Sequence, residues 1–182
     1  KAGSTVALTI IRKGEKAPLK INIVRELIKI PNLKTELRSD GIFVISLYNF
    51  GNGASSEFRK ALREFVLAKK SRLILDLRGN PGGYLESAVD IASWFLPSGK
   101  VVVQEDFGKE VKNFRANGQN IFNDKLKMVV LIDKGSASAS EILAGALQEH
   151  KIAKLVGTKS YGKGSVQELV DIGNDSALKV TI

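Results

Sequence analysis

Short apolar runs alternate with segments of helical periodicity through most of this chain, and this alternation limits the folds open to it. Runs rich in Val, Ile and Leu begin near residues 42, 73 and 128, and each is followed by a turn and then by apolar residues at helical spacing. Strands that alternate with helices favour a largely parallel sheet with crossover helices packed on it. We therefore predict a mixed α/β fold.

The same patterns predict the individual elements of the main domain. Apolar residues at helical spacing predict helices at 56–70, at 84–96 and from about 140 to 149. β-Branched and apolar runs predict strands at 41–50, 73–77, 100–106, 127–133, 153–157, 164–170 and 177–182. Because the last strand runs to the end of the sequence, we expect the core to continue beyond Ile182.

A separate strand pair opens the chain. Residues 4–14 and 16–26 are rich in β-branched residues and are divided by a short turn at 14–16, which predicts a hairpin. Turn-forming residues then predict a linker at 25–40. We expect an appendage at 1–24 and the main domain at 41–182.

Composition excludes several kinds of site. The chain has no Cys, which excludes disulfides, thiol nucleophiles and thiolate metal sites, and its single His, His150, excludes a multi-histidine metal site. The net charge of +9 is spread along the chain, so we expect no nucleic-acid partner. No apolar run approaches the roughly 18 residues that cross a bilayer, so we expect no transmembrane segment in this chain.

Three serines alternate in the predicted turn between the strand at 127–133 and the next helix. Such a turn presents a small nucleophile at a helix N-terminus, where free N–H groups stabilise negative charge. Ser138 with Glu141 also fits the S-x-x-E capping box, which is a purely structural role. The residues flanking Ser138 are alanines, which leave the backbone open to a substrate carbonyl. Ser138 is therefore favoured over Ser136 and Ser140.

A serine hydroxyl needs a neighbouring base. His150 lies 12 residues beyond Ser138, about 18 Å along a helix at roughly 1.5 Å per residue, so it is out of reach and expected to be solvated. Lys163 is the best candidate, because glycines on both sides permit close approach of another loop. It must be neutral to act, which requires its pKa of about 10.4 to fall to about 7 or 8 by burial. Gln167 shares its face in an extended segment and is suited to orient the amine.

The loop around Lys163 has two other interpretations. Residues 157–164 nearly match the phosphate loop G-x-x-x-x-G-K-[ST] and follow an apolar strand. Gly164, however, stands where a hydroxyl would hold the metal, and β-favouring residues follow where a nucleotide loop needs a helix. The plainer alternative is a glycine-rich turn that carries a surface lysine.

Three stretches together resemble one family, the C-terminal processing or tail-specific serine proteases. They are DLRGNPGG at 76–83, GSASASEILAGAL at 135–147 and GTKSYGKGSVQ at 157–167, and their order and spacing agree with the family over roughly residues 35–182. The resemblance implies that Ser138 is the nucleophile, Lys163 the general base and Gln167 the residue that positions the lysine.

The resemblance also implies an oxyanion hole. In the family, one backbone N–H comes from the turn after DLR and the other from the residue that follows the nucleophile. Here these are Gly82 or Gly83, with Gly83 favoured, and Ala139. A glycine is suited to this because it lets the chain turn its N–H towards a carbonyl. A turn chosen for its shape alone also explains residues 80–83.

Further properties are implied by the resemblance alone. The fold would be the β-β-α superhelix of the crotonase and Clp protease type, and residues 1–24 would be the last strands of a PDZ domain. The enzyme would cleave proteins or peptides with apolar C-termini through an acyl-enzyme, without metal, nucleotide or other cofactor. It would work outside the cytoplasm, in the periplasm, cell envelope or thylakoid lumen. An adaptor, a regulator and homo-oligomer formation are left open.

Two functions from other classes remain as alternatives. One is a non-catalytic peptide-binding protein on the same fold, and the other is a nucleotide-binding protein that uses the loop Gly157–Gly164.

Overall fold

The apolar runs form strands, and helices separate those of the main domain. The computed structural model describes residues 1–28, 31–122, 125–174 and 176–181. In chain order its elements are β1 (Thr5–Ile10), β2 (Leu19–Val24), β3 (Leu33–Leu37), β4 (Phe43–Leu47), α1 (Ala54–Leu67), β5 (Arg72–Asp76), α2 (Leu85–Ala92), β6 (Val101–Asp106), β7 (Val111–Arg115), β8 (Lys127–Ile132), α3 (Ala139–Glu149), β9 (Ala153–Gly157), β10 (Gln167–Gly173) and β11 (Ser176–Thr181).

The N-terminal unit, Lys1–Pro31, contains the predicted hairpin. Strands β1 and β2 pair antiparallel, from Thr5 opposite Val24 to Ile10 opposite Leu19, which confirms the hairpin. The connection between them, 11–18, is longer than the turn predicted at 14–16. Most of the side chains of this hairpin are exposed.

The second unit, Asn32–Ile182, is built on a five-stranded sheet of order β3-β4-β5-β8-β9. Strands β4, β5, β8 and β9 are parallel, which confirms the predicted sheet. Strand β3 pairs antiparallel with β4 and corrects the linker predicted at 25–40, of which 29 and 30 lie outside the described residues. In this strand Leu33 and Thr35 are half-buried at alternate positions. The alternation is short and flanked by turn residues, so the sequence pattern did not predict a strand here.

The helices bury their apolar faces, with Phe58 and Phe65 of α1 almost fully inaccessible. Helix α2 is shorter than the predicted 84–96. It ends at Ala92, because the chain then enters tight turns held by Ser93, whose hydroxyl donates to the Val89 carbonyl and accepts from the Asn117 N–H. None of the helices within the described ranges is long and apolar enough to span a bilayer.

Two further hairpins stand outside the main sheet. Strands β6 and β7 pair antiparallel, and the sequence analysis missed β7 because three of its five residues are polar or charged. Strands β10 and β11 form their own two-stranded sheet, and every residue of β10 is exposed.

The order of the main sheet brings three loops together. Strands β4, β5 and β8 are parallel neighbours, so the loops that follow them, at 48–53, 77–84 and 133–138, leave the same edge. In open α/β sheets the crevice at the carboxyl ends of the strands is the usual place for a binding site.

Candidate active site

Ser138 occupies the turn between β8 and α3, directly before the first helical residue. Its backbone has φ 55° and ψ −119°, and its side chain is half-buried. This conformation is strained for a residue with a Cβ, and it resembles the nucleophile elbow of a strand–turn–helix unit, where the turn lifts the hydroxyl out of the backbone. An ordinary N-cap residue has an extended backbone and needs no such strain.

The other two serines of the turn have structural roles. Ser136 is fully buried, and its hydroxyl donates to the Leu77 carbonyl at 2.8 Å and accepts from the Asp133 N–H at 3.0 Å. Ser140 is also fully buried and donates to the Asn80 carbonyl at 3.0 Å. Both side chains connect the turn to the loop after β5, which leaves Ser138 as the serine open to a substrate.

The loop after β5 lies directly against Ser138. Gly82 has φ 98°, and a Cβ placed on it would lie 2.6 Å from the Ala137 carbonyl oxygen and 2.9 Å from the Ser138 Cβ. Gly83 has φ 151°, and its Cβ would lie 2.5 Å from the Phe50 carbonyl oxygen. Both the backbone conformation and the close approach therefore require glycine here.

The same contacts leave two backbone donors unused. The Gly82 N–H donates to Asn80 Oδ1 at 2.9 Å. Within the described residues, the N–H groups of Gly83 and Ala139 donate to no protein atom. For Ala139 this follows from its place in the first helical turn, where N–H groups lack helical acceptors. These are the two donors favoured for the oxyanion hole.

Lys163 and Gln167 lie together, as the sequence analysis expected. The Lys163 Nζ donates to Gln167 Oε1 at 3.0 Å, and Gln167 Nε2 contacts Thr181 Oγ1 at 3.4 Å. Lys163 is half-buried and Gln167 is exposed. No hydrogen bond joins the Lys163 amine to the Ser138 hydroxyl among the described side chains.

Glu141 connects the two halves of the site, a role that the sequence analysis did not assign to it. Its Oε2 accepts from the N–H groups of Ser138 and Lys163, each at 2.9 Å, and its Oε1 accepts from the Ser160 hydroxyl at 2.7 Å and the Gly162 N–H at 2.6 Å. The S-x-x-E pattern predicts the contact between Glu141 and the Ser138 N–H. The others join segments 19 to 22 residues apart and left no local signal.

These contacts affect the charge of Glu141. Partial burial raises the pKa of its carboxyl group, but the hydrogen bonds from Ser160, Gly162, Lys163 and Ser138 outweigh burial and hold the pKa below its usual range. Glu141 is therefore ionised at neutral pH and remains an acceptor for all four donors.

A second carboxylate fixes the loop after β5 to the serine turn. Asp133 Oδ1 accepts from the Gly79 N–H at 2.8 Å and the Gly135 N–H at 2.9 Å. The hydrogen bond from Gly79 is the main cause that lowers the pKa of Asp133. Nearby, the Arg78 guanidinium donates two hydrogen bonds to the Asp76 carboxylate, the shorter at 2.7 Å.

The phosphate-loop interpretation of 157–164 finds little support. The N–H groups of Gly162 and Lys163 donate to the Glu141 carboxylate, so a protein anion already holds them. The element that follows is strand β10, whereas a nucleotide loop leads into a helix.

His150 lies at the far end of α3, as expected, but the expectation that it is solvated was wrong. It is half-buried, and its Nε2 lies 2.8 Å from the Val101 carbonyl oxygen. Within the described ranges, no group of three or more His, Asp or Glu side chains is arranged to hold a metal ion.

Comparison with known proteins identifies relatives of this chain. The profile of the family described as Peptidase family S41 matches residues 41–182. The carboxy-terminal-processing protease of Bartonella bacilliformis is 39% identical over 99% of this chain and 42% of its own length. CtpB of Bacillus subtilis, a carboxy-terminal processing protease, is 37% identical over 100% of this chain and 38% of its own length. The chain thus spans about 40% of these relatives.

Solved structures give the same result for the fold. The photosystem II D1 C-terminal processing protease superimposes with a TM-score of 0.75 at 26% identity, over 100% of this chain and 50% of that one. A structure described as a putative S41 protease from Bacteroides fragilis has a TM-score of 0.66 at 20% identity, over 98% of this chain and 54% of that one. At 20% identity, the similarity to the Bacteroides fragilis structure supports the fold alone.

Proposed function

The chain belongs to peptidase family S41, and on that basis we propose that it supplies the core of a serine endopeptidase that cleaves proteins near their C-termini. One observation carries the proposal: Ser138 is held in a strained elbow at a helix N-terminus, beside two backbone N–H groups that have no protein acceptor among the described residues. The capping contact between Glu141 and the Ser138 N–H requires neither the strained backbone of Ser138 nor a second free N–H from the loop after β5, and both suit an acyl-transfer site.

The proposed reaction begins at Ser138. Neutral Lys163 removes the hydroxyl proton as the oxygen attacks the substrate carbonyl, and the N–H groups of Gly83 and Ala139 stabilise the oxyanion. The lysine then protonates the leaving amine, which releases the C-terminal fragment and leaves an acyl-enzyme. Water, deprotonated by the same lysine, hydrolyses the ester and restores Ser138. No metal, nucleotide or other cofactor takes part in this scheme.

Gln167 holds the lysine in this scheme. Its Oε1 accepts from Lys163 Nζ without adding a charge. For proton transfer the amine must approach Ser138 to hydrogen-bonding distance.

The remaining assignments also follow the family. Residues 1–24 are proposed as the last strands of a PDZ domain, supported by a hairpin in a unit separate from the core, and 41–182 as the protease core. The core is proposed to follow the β-β-α superhelix of the crotonase and Clp protease type. Substrates with apolar C-termini and an extracytoplasmic location, in the periplasm, cell envelope or thylakoid lumen, are proposed on the same basis.

The test is cleavage of a fluorogenic peptide by the full-length protein and its Ser138→Ala and Lys163→Ala variants. We expect each substitution to lower the cleavage rate by at least about 10³-fold, because the nucleophile and its base act as a unit. A fluorophosphonate reagent is expected to label Ser138 in the wild type only. Equal cleavage by all three proteins contradicts the mechanism.

Two outcomes would indicate another function. An intact protein that binds peptides but neither cleaves them nor reacts with the fluorophosphonate is a non-catalytic binder. A rise in melting temperature with ATP or GTP and magnesium, abolished by Lys163→Ala, indicates the nucleotide-binding alternative instead.

A further inference from the structure

We propose that Asn80 is a positioning residue that decides which N–H of the Gly82–Gly83 pair faces the substrate. The inference rests on the proposed function, because it concerns the oxyanion of that reaction. Asn80 precedes the glycine pair by two residues and is fully buried. A buried amide side chain is costly unless its donors and acceptor are all engaged, so its partners indicate what it holds in place.

The Asn80 side chain bridges two of the loops at the sheet edge. Its Nδ2 donates to the Leu47 carbonyl, at the end of β4, at 2.8 Å, and its Oδ1 accepts from the Gly82 N–H at 2.9 Å. The second contact is an Asx-turn, in which the side chain replaces a backbone acceptor. Asn80 thus joins the end of β4 to the glycine pair.

The Asn80 backbone binds the serine turn. Its carbonyl accepts from the Ala137 N–H and from the Ser140 hydroxyl, each at 3.0 Å. One residue therefore contacts both structures that supply the oxyanion donors, the glycine pair and the turn before α3. A shift of Asn80 would move the two donors relative to each other.

Engaging the Gly82 N–H is the functional step of this arrangement. Two consecutive glycines can rotate their peptide planes at little cost, so either N–H is able to face the site. Because the Gly82 N–H donates to the Asn80 side chain, it is not free to bind the substrate. The Phe50 N–H donates to the Gly82 carbonyl at 2.9 Å and holds the next peptide plane. The N–H of Gly83 is then left for the substrate.

The choice of residue type fits this role. An amide supplies the acceptor for Gly82 and the donor for Leu47 together. An aspartate keeps only the acceptor and buries a negative charge near the place where the oxyanion develops, which opposes catalysis.

The experiment compares Asn80→Ala and Asn80→Ser with Ser93→Ala in the full-length protein. Ser93 is the matched control, because it is 2% exposed, donates to one carbonyl and accepts from one N–H, and contacts the Val89 carbonyl and the Asn117 N–H rather than the site. Both alanine variants lose comparable buried hydrogen bonds. All rates are measured at temperatures where melting curves show each protein folded.

We expect Asn80→Ala to lower kcat by about 10- to 100-fold with KM within about threefold, because the lost orientation weakens a donor that acts mainly in the transition state. The inhibition constant of a peptide aldehyde, which forms a tetrahedral adduct with the serine, should rise by a similar factor. Ser93→Ala should leave both unchanged. Asn80→Ser, whose hydroxyl forms the equivalent turn, should recover part of kcat.

Each result decides the matter. Unchanged kcat and aldehyde affinity in Asn80→Ala, or the same loss in Ser93→Ala, overturns the positioning role while wild-type cleavage upholds the proposed function. A wild type that does not cleave peptides overturns the proposed function, and this inference with it. If Asn80→Ala does not fold, Asn80→Leu decides, because leucine fills the buried space but has no acceptor for the Gly82 N–H. A kcat and an aldehyde inhibition constant equal to those of the wild type then overturn the inference.

Discussion

The two halves of the candidate site are built differently. On the side of the proposed nucleophile, Ser136, Ser140 and Asn80 are fully buried and hydrogen-bonded to the strand ends and loops around them. On the base side, Gln167 is exposed and strand β10 is exposed along its whole length. The proposed nucleophile and oxyanion donors are thus held at the edge of the main sheet, whereas the proposed base is held by contacts with Gln167 and Glu141.

This difference indicates which half of the candidate site opens more readily within this chain. Elements with few buried contacts open at low free-energy cost, so within this chain we expect the segment that carries Lys163 to open more readily than the serine turn. Glu141 belongs to helix α3, yet it holds the N–H groups of Gly162 and Lys163. Its carboxylate connects the closely packed half of the candidate site to the exposed half.

Substitution of Ser138 gives the largest expected effect. Ser138→Ala and Ser138→Gly should both lose cleavage by at least about 10³-fold, because no hydroxyl remains. Their stabilities should differ, with the glycine variant about 1 kcal/mol more stable to unfolding, since only glycine adopts φ 55° without strain. Denaturant titration measures this difference, and equal stabilities would mean that the elbow is not strained.

Alanine at two glycines compares the halves directly. Gly82→Ala should destabilise the protein by about 3 kcal/mol, because its Cβ would lie 2.6 Å from the Ala137 carbonyl oxygen in a packed turn. Gly162 also has a positive φ, 85°, but nothing lies within 4 Å of its Cβ position, so Gly162→Ala should cost only about 1 kcal/mol. Comparable losses for both variants would contradict the division into a closely packed half and an exposed half.

The sequence was sufficient to predict the serine side of the candidate site, but only part of the lysine side. The hairpin, the parallel sheet and the serine turn were predictable, because strand periodicity, turn residues and the S-x-x-E pattern are local signals. Lys163 and Gln167 were found from glycine spacing and family resemblance. Their proximity is confirmed, but their catalytic roles stay predictions.

What the sequence could not show depends on contacts between distant segments. Strand β3 lies within the predicted linker, where its short alternation gives little local signal. The roles of Asn80 and Glu141 have no local signal, because the partners of these two residues lie up to 60 residues away. A buried amide or carboxylate has no periodicity of its own. It becomes recognisable only when the strand order brings the loops together.

Acidification should loosen the base side first. The pKa of Glu141 is lowered in the folded protein, so its hydrogen bonds contribute fully above the ordinary glutamate pKa of about 4.3 and are lost as the pH falls through the folded value. The amide protection factors of Gly162 and Lys163 should therefore decrease when the pH is lowered beyond about 4. In Glu141→Gln they should be low at every pH, by roughly tenfold relative to the wild type at pH 7.

The control for this prediction is Glu149→Gln, an exposed glutamate at the other end of the same helix. It should leave the protection of Gly162 and Lys163 and its pH dependence unchanged. If the wild-type protection factors do not change with acid while the sheet stays intact, Glu141 is not the connection between the halves.

Gln167 should give the smallest effect, because it is exposed and acts only through Lys163. Gln167→Ala is expected to lower kcat a few-fold. Gln167→Glu places a negative charge beside the amine and stabilises its protonated form, so the rising limb of the pH–rate profile should move to higher pH by up to about one unit. If the pH–rate profile of Gln167→Glu is identical to that of Gln167→Ala, the side chain at position 167 does not contact the amine when the proton is transferred. The contacts of Lys163 near Ser138 would then determine the pH dependence of the rate.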